Sequence, residues 1–179
     1  MRLFGPPGRG DRLARRLLIP LAVALAVLVI VFGVAFAPLE IVGYSMYPSL
    51  DDGDRVLVTR GYGTPRAGDP VRIDTAELDR GRGGHVVKRI VAVPGDVVRI
   101  HEGRAVVNGS PEEFGARLIV SAGDVSFPPV QVPPGYVYVL GDNRPSSFDS
   151  RFYGPVPLGA IHGRVVFRYA PITAAGPVD

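Results

Sequence analysis

The run His85-Val86-Val87-Lys88-Arg89-Ile90-Val91-Ala92-Val93 decides how this chain folds. Successive side chains of a strand point to opposite faces, and here apolar residues stand at both odd and even positions. Such a run reads as a strand buried on both faces, with a cation at Lys88 where none belongs. Further along, Val56-Leu57-Val58, Val71-Arg72-Ile73, Val97 to Ile100, Ala105 to Val107, Tyr136 to Leu140 and Gly163 to Tyr169 are equally short and valine-rich. Each is bounded by Gly, Pro, Asp or Asn, as strands are. His101-Glu102-Gly103-Arg104 sits between two of them and predicts a hairpin turning near Gly103. No stretch after residue 38 sustains a 3.6-residue period, and 23 Gly with 18 Pro cut the chain into many turns. The expected class is mostly β, a barrel or a sandwich. Residues 109–134, with five prolines, read as a loop excursion, and 171–179 as a frayed tail.

The N-terminus is of another kind. Residues 17–37, LLIPLAVALAVLVIVFGVAFA, carry no charge or strongly polar side chain. At about 1.5 Å per residue they span a hydrocarbon core of roughly 30 Å once. Pro20 falls in the first turn of that span, where a missing N–H costs least. Residues 1–16 form a basic head with Arg2, Arg9, Arg12, Arg15 and Arg16 against Asp11 alone. The net charge of +3 therefore comes from this head, and residues 38–179 are close to neutral. Positive flanks stay cytoplasmic, which places 38–170, one domain, on the far side of the membrane. A nucleic-acid partner does not fit a nearly neutral folded part. A cleavable leader ending at Ala35-Phe36-Ala37 is the rival, but the apolar run is too long and Pro38 would follow the cut. With no cysteine and three scattered histidines, neither thiol chemistry nor a zinc site has ligands to work with.

Three segments carry chemistry. Gly43-Tyr44-Ser45-Met46-Tyr47-Pro48-Ser49 sets a serine in a turn, where its hydroxyl can face a surface. A serine hydroxyl needs a base to become a nucleophile. His85, His101 and His162 come without a recognisable partner, so a Ser-His-Asp triad finds no support. Lys88 is the one lysine among 20 basic residues, so nearly every other cationic position accepts Arg. Burial lowers a lysine pKa and a neutral amine accepts a proton, which a guanidinium does not. The third segment, Gly141-Asp142-Asn143-Arg144-Pro145-Ser146-Ser147-Phe148-Asp149-Ser150-Arg151, gathers carboxylates, guanidinium groups and hydroxyls in one loop after a strand. Charged pairs can brace such a corner, and Ser147 or Ser150 is placed to orient the lysine.

Together and in order, these segments resemble the bacterial type I signal peptidases, Ser-Lys peptidases of family S26. The matching boxes are Ser45-Met46-Tyr47-Pro48-Ser49, Lys88 to Asp96, and Gly141-Asp142-Asn143-Arg144 with Ser147, Asp149-Ser150-Arg151 and Gly154. Gly68-Asp69-Pro70-Val71 matches more weakly. The resemblance implies cleavage of secretory preproteins after a small-x-small motif, with Ser45 as nucleophile and Lys88 as general base. It implies that Ser147 orients the lysine, that Asp149 and Arg151 form a supporting ion pair, and that Asp142 pairs with Arg89. Ile41, Val42 and Val87 would line shallow pockets for the small side chains. The implied fold is an antiparallel β-barrel-like domain lying on membrane lipid, with no metal or organic cofactor. One position departs from many members: Gly43 stands where a serine would complete the oxyanion hole, leaving the Ser45 backbone N–H as the identified donor. The 109–134 segment is also short for the family's second domain.

Other readings differ at single features. A self-cleaving repressor of the same Ser-Lys type carries a DNA-binding domain in place of the apolar span. A specialised relative would process one pilin or conjugation protein. A non-catalytic, membrane-tethered β binding module would be free to lose Ser45, Lys88 or Ser147.

Overall fold

The computed structural model describes residues 9–77, 84–113, 118–120 and 126–178. The first eight residues of the basic head, and 114–117 and 121–125 of the expected excursion, lie outside the described residues, as do 78–83 and Asp179. The chain divides into two compact units, Met1–Phe36 and Ala37–Asp179.

The first unit is one helix, α1 (Arg9–Ala35), whose segment Arg15–Ala35 is long and apolar enough to cross a bilayer once. From Leu17 to Val34 its leucine, valine and isoleucine side chains are exposed on every side. The helix begins eight residues before the apolar run, because Leu13, Ala14, Arg15 and Arg16 are good helix formers. Pro20 is thus interior to the helix, not in its first turn. An interior proline is tolerated in apolar helices of this kind, where neighbouring groups take up the freed carbonyl. Phe36 and Ala37, read as the end of the span, already belong to a strand.

The second unit holds β1 (Phe36–Glu40), β2 (Arg55–Thr59), β3 (Pro70–Asp74), β4 (His85–Ala92), β5 (Val97–His101), β6 (Arg104–Val107), β7 (Ser110–Pro111), β8 (Phe127–Gln131), β9 (Tyr136–Leu140), the single-turn α2 (Ser150–Tyr153), β10 (Val156–Pro157), β11 (Ile161–Ala170) and β12 (Gly176–Pro177). The larger sheet runs β1-β2-β11-β3-β4-β9-β10 as an open half-barrel, with β12 added to β11. A smaller sheet runs β7-β6-β5-β8. The fold is mostly antiparallel β.

β4 sits at the centre of the packing. Val87 enters a core with Ile41, Met46, Leu50 and Val58, while Ile90 joins Val71, Ile73 and Val139. Val91 and Ala92 join a third core with Val98, Ile100 and Leu140. One strand therefore ties both sheets together, which is why both of its faces are apolar. The β5–β6 hairpin turns on Glu102-Gly103, both at positive φ, with His101 opposite Arg104.

Two segments differ from the sequence reading. The 109–134 stretch is not wholly loop, since it contributes β7 and β8. Pro128 and Pro129 mask β8 in the sequence, yet β8 is an edge strand, where one of the two missing N–H groups faces away from the ladder and the other falls at an irregularity in it. The register against β5 shifts where the two prolines fall. Nor is the tail frayed. Gly176 and Pro177 pair with β11, the Arg168 guanidinium donates to the Ala174 carbonyl at 2.7 Å, and Val178 is only 6% exposed. Val178→Ala is expected to lower unfolding stability by about 1–2 kcal/mol, the transfer cost of the lost methyl groups. A denaturant midpoint unchanged from wild type would show that the tail does not pack.

Candidate active site

Burial along β4 dictates the chemistry at Lys88, which is 4% exposed. Desolvation is the largest influence on its ammonium and lowers the pKa from 10.5 to about 8. The carboxylates of Asp149 and Asp142 oppose that shift, and Arg151 adds to it. Lys88 forms no ion pair among the described residues. Its neighbour Arg89, on the opposite face, is fully paired. Nε and Nη2 donate to the two Asp142 oxygens at 2.8 and 2.7 Å, with both side chains 1% exposed.

The register carries Lys88 to the candidate loop. Arg89 lies opposite Leu140, the last residue of β9, in the antiparallel β4–β9 ladder, so Lys88 stands next to the strand end from which the loop departs at Gly141. Gly141 has no room for a side chain: a Cβ there would fall 2.5 Å from the Ser45 carbonyl oxygen and 2.5 Å from Ser147 Cβ. Ser147 and the Ser45 turn therefore converge on one glycine, just past the strand end beside Lys88. Ser147 Oγ is buried with no hydrogen-bond partner among the described residues. Ser150 Oγ, the other candidate, already accepts the Val139 N–H at 3.0 Å. Of the two hydroxyls, only that of Ser147 is uncommitted.

The turn bearing Ser45 is fixed at both ends. Gly43 adopts φ +89, a conformation costly for any residue with a Cβ, and its N–H donates to Asp52 Oδ1 at 2.7 Å. A serine at this position would be strained, which accounts locally for the glycine. On the other side, Asn143 donates from its backbone N–H to the Ser45 carbonyl at 3.0 Å and from Nδ2 to the Tyr44 carbonyl at 3.1 Å. Ser45 lines a cleft with Ile41, Val42, Met46, His85 and Val87. Ile41 and Val87 form its buried floor, whereas Val42 stands at the rim, 87% exposed.

The loop is held by buried ion pairs. Asp149 caps α2, accepts the Gly141 N–H at 3.1 Å and receives Arg151 Nε at 2.8 Å. Arg144 donates to both Glu112 oxygens at 2.6 and 2.7 Å, and to the carbonyls of Gly141 and Gly103. The sequence reading missed this pair, together with the contacts of Asn143 and Asp52. Glu112 lies in a proline-rich segment without periodicity, and nothing in its spacing points to Arg144. Among the described residues no group of three His, Asp or Glu side chains gathers as metal ligands would.

Comparison with known proteins assigns the chain to one class. Residues 14–170 match the family described as signal peptidase, peptidase S26, and the chain belongs to that family. It is 33% identical over 88% of its length to a probable signal peptidase I-1 of Synechocystis, covering 84% of that protein. With signal peptidase I of Bacillus licheniformis it shares 38% identity, over 73% of each chain. Thylakoidal processing peptidase 1 of Arabidopsis thaliana is 39% identical over 75% of this chain, which spans only 42% of that longer protein. A signal peptidase I structure from Enterococcus faecalis aligns with 58% of this chain and 98% of its own at 27% identity and a TM-score of 0.48.

Burial of Lys88 also has a thermodynamic signature. The folded chain loses this proton at about 8 and the unfolded chain at 10.5, so the unfolded state holds more protons between those values. Stability contributed by this site therefore rises from pH 8 to 10.5, and the full penalty applies below 8. Lys88→Met is expected to be the more stable protein at pH 7, by roughly 3 kcal/mol, with the difference vanishing towards pH 10.5. A wild-type-minus-variant difference that stays flat over this range would contradict a desolvated ammonium.

Proposed function

We propose that this chain is a serine endopeptidase of the signal peptidase I type, bound to a membrane through α1 and removing signal peptides from secretory preproteins after a small-x-small motif. The observation that carries this reading is the convergence of an uncommitted buried hydroxyl and a serine turn on Gly141, just past the strand end beside a desolvated lysine. The family match and the relatives named above support the same activity.

In the proposed mechanism, neutral Lys88 Nζ takes the proton of Ser45 Oγ as that oxygen bonds to the scissile carbonyl carbon. The tetrahedral oxyanion is held by the Ser45 N–H. As the C–N bond breaks, Lys88 returns the proton to the leaving amine, which leaves an acyl-enzyme on Ser45. Lys88 then deprotonates a water that attacks the ester, and the released proton restores Ser45 Oγ–H. Ser147 Oγ orients Nζ throughout. Asp142–Arg89 and Asp149–Arg151 hold the loop that carries Ser147.

Substrate can bind by extending the sheet. β9 pairs with β4 only from Arg89 onward, while His85 to Lys88 pair with β3 on one edge alone. The free edge faces the cleft whose other wall is formed by Leu39 to Val42. An extended peptide laid there makes main-chain hydrogen bonds, and its alternate side chains enter the floor formed by Ile41 and Val87. The basic residues before the apolar run support a cytoplasmic N-terminus, with the peptidase unit on the other side of the membrane.

The test is cleavage of a secretory precursor ending its signal peptide in Ala-x-Ala. Ser45→Ala and Lys88→Arg are each expected to lose activity by about 10⁴-fold or more, as when one member of a nucleophile–base unit is removed. The wild-type rate should rise with pH through an acidic limb centred near 8, since neutral Lys88 is the active form. Wild-type cleavage by Lys88→Arg would rule out the general-base role.

A further inference from the structure

We propose that Asn143 is a positioning residue that aims the Ser45 N–H at the oxyanion formed on the scissile carbonyl. The inference rests on the reading of Ser45 as nucleophile given above. A trans peptide unit is planar, with its C=O and N–H pointing in opposite directions. The Tyr44 carbonyl belongs to the same unit as the Ser45 N–H. Asn143 Nδ2 holds that carbonyl towards the 141–144 loop, at 3.1 Å, so the Ser45 N–H is turned away from the loop. The next unit is held likewise: the Asn143 backbone N–H binds the Ser45 carbonyl at 3.0 Å and turns the Met46 N–H to the same side. Among the described residues, neither the Ser45 nor the Met46 N–H is spent on another group of the protein. Two neighbouring donors thus face one side of the turn, as stabilisation of an oxyanion requires.

Gly43 does not fill that place. It has no hydroxyl, and its N–H is committed to Asp52 at 2.7 Å. The aim of the turn must therefore come from the carbonyl side, which is where Asn143 acts. Asn143 is 9% exposed and is itself held in place. The Arg144 N–H donates to the Ile119 carbonyl at 3.0 Å, and the Ile119 N–H to the Asp142 carbonyl at 2.9 Å. The Arg144 guanidinium is locked to Glu112 and to the Gly103 carbonyl. Through this chain of contacts the small sheet, which holds none of the reacting groups, steadies the nucleophile.

The experiment uses the full chain in detergent micelles, an Ala-x-Ala precursor peptide, and a peptide aldehyde of the same sequence. The aldehyde adds the serine oxygen to its carbonyl carbon, and its oxygen then occupies the oxyanion position. For Asn143→Ala, kcat is expected to fall about 10²-fold, the scale of one lost oxyanion donor, with KM within about twofold. Aldehyde affinity should fall by the same factor as kcat/KM, and the acidic limb of the pH–rate profile should not move. Asn143→Asp keeps the shape and the backbone N–H but replaces the donor by an acceptor facing the Tyr44 carbonyl, so it should show the same losses. If the alanine variant does not fold, the aspartate variant decides. Wild-type kcat and aldehyde affinity in these variants, with Ser45→Ala inactive, overturn the inference alone. A loss confined to KM, or a shifted acidic limb, also overturns it, since either places the effect in substrate binding or at Lys88. Cleavage and aldehyde binding retained by Ser45→Ala remove the nucleophile assignment and this inference with it.

Discussion

A cation kept out of water without a counter-ion is the constraint on which this domain turns. Lys88 lies in the middle of β4, the strand shared by all three cores, and no carboxylate among the described residues pairs with it. Removing an ammonium from water costs several kcal/mol even after relaxation, and the group responds by giving up its proton more readily. Arg89, the next residue, shows the other solution. Its guanidinium is buried only because Asp142 and the Gly68 carbonyl receive it. Alternation along the strand puts the two cations on opposite faces, so one can serve as a base while the other anchors a loop.

The loop after β9 meets the demands that this arrangement imposes. Two pairs, Asp142–Arg89 and Asp149–Arg151, and a third, Arg144–Glu112, hold a polar segment within the protein. Such pairs add little net stability, because desolvation offsets most of their attraction. What they supply is geometry. Gly141 lets the Ser45 carbonyl and the Ser147 side chain approach where any larger residue would separate them. Ser150 accepts a backbone N–H of β9, whereas the buried Ser147 hydroxyl has no partner among the described residues.

Much of this could be read without coordinates. Short valine-rich runs between turn formers located seven of the strands, and in β4 packing on both faces puts apolar side chains at odd and even positions alike. The anomalous lysine was legible for the same reason, as a charge in a run that excludes charge. Other parts were not. Pro128 and Pro129 disguise β8, since only its place at a sheet edge makes them acceptable. The tail carries no periodic signal and is ordered by pairing with β11 and by the burial of Val178. Contacts such as Glu112 with Arg144, or Asn143 with Tyr44, join residues 32 and 99 positions apart, and only the tertiary fold brings them together. The start of α1 was misplaced because helix propensity, not hydrophobicity, sets where it begins.

The lone lysine makes the central claim directly measurable. In protein labelled with carbon-13 lysine, the side chain of Lys88 gives the only lysine signal in the chain. Its chemical shift can be followed from pH 5 to 11 without assignment or mutation. A single transition centred near pH 8 is the expected result. A transition at the ordinary lysine value, about 10.4, would mean that the ammonium is solvated and is not a base near neutrality.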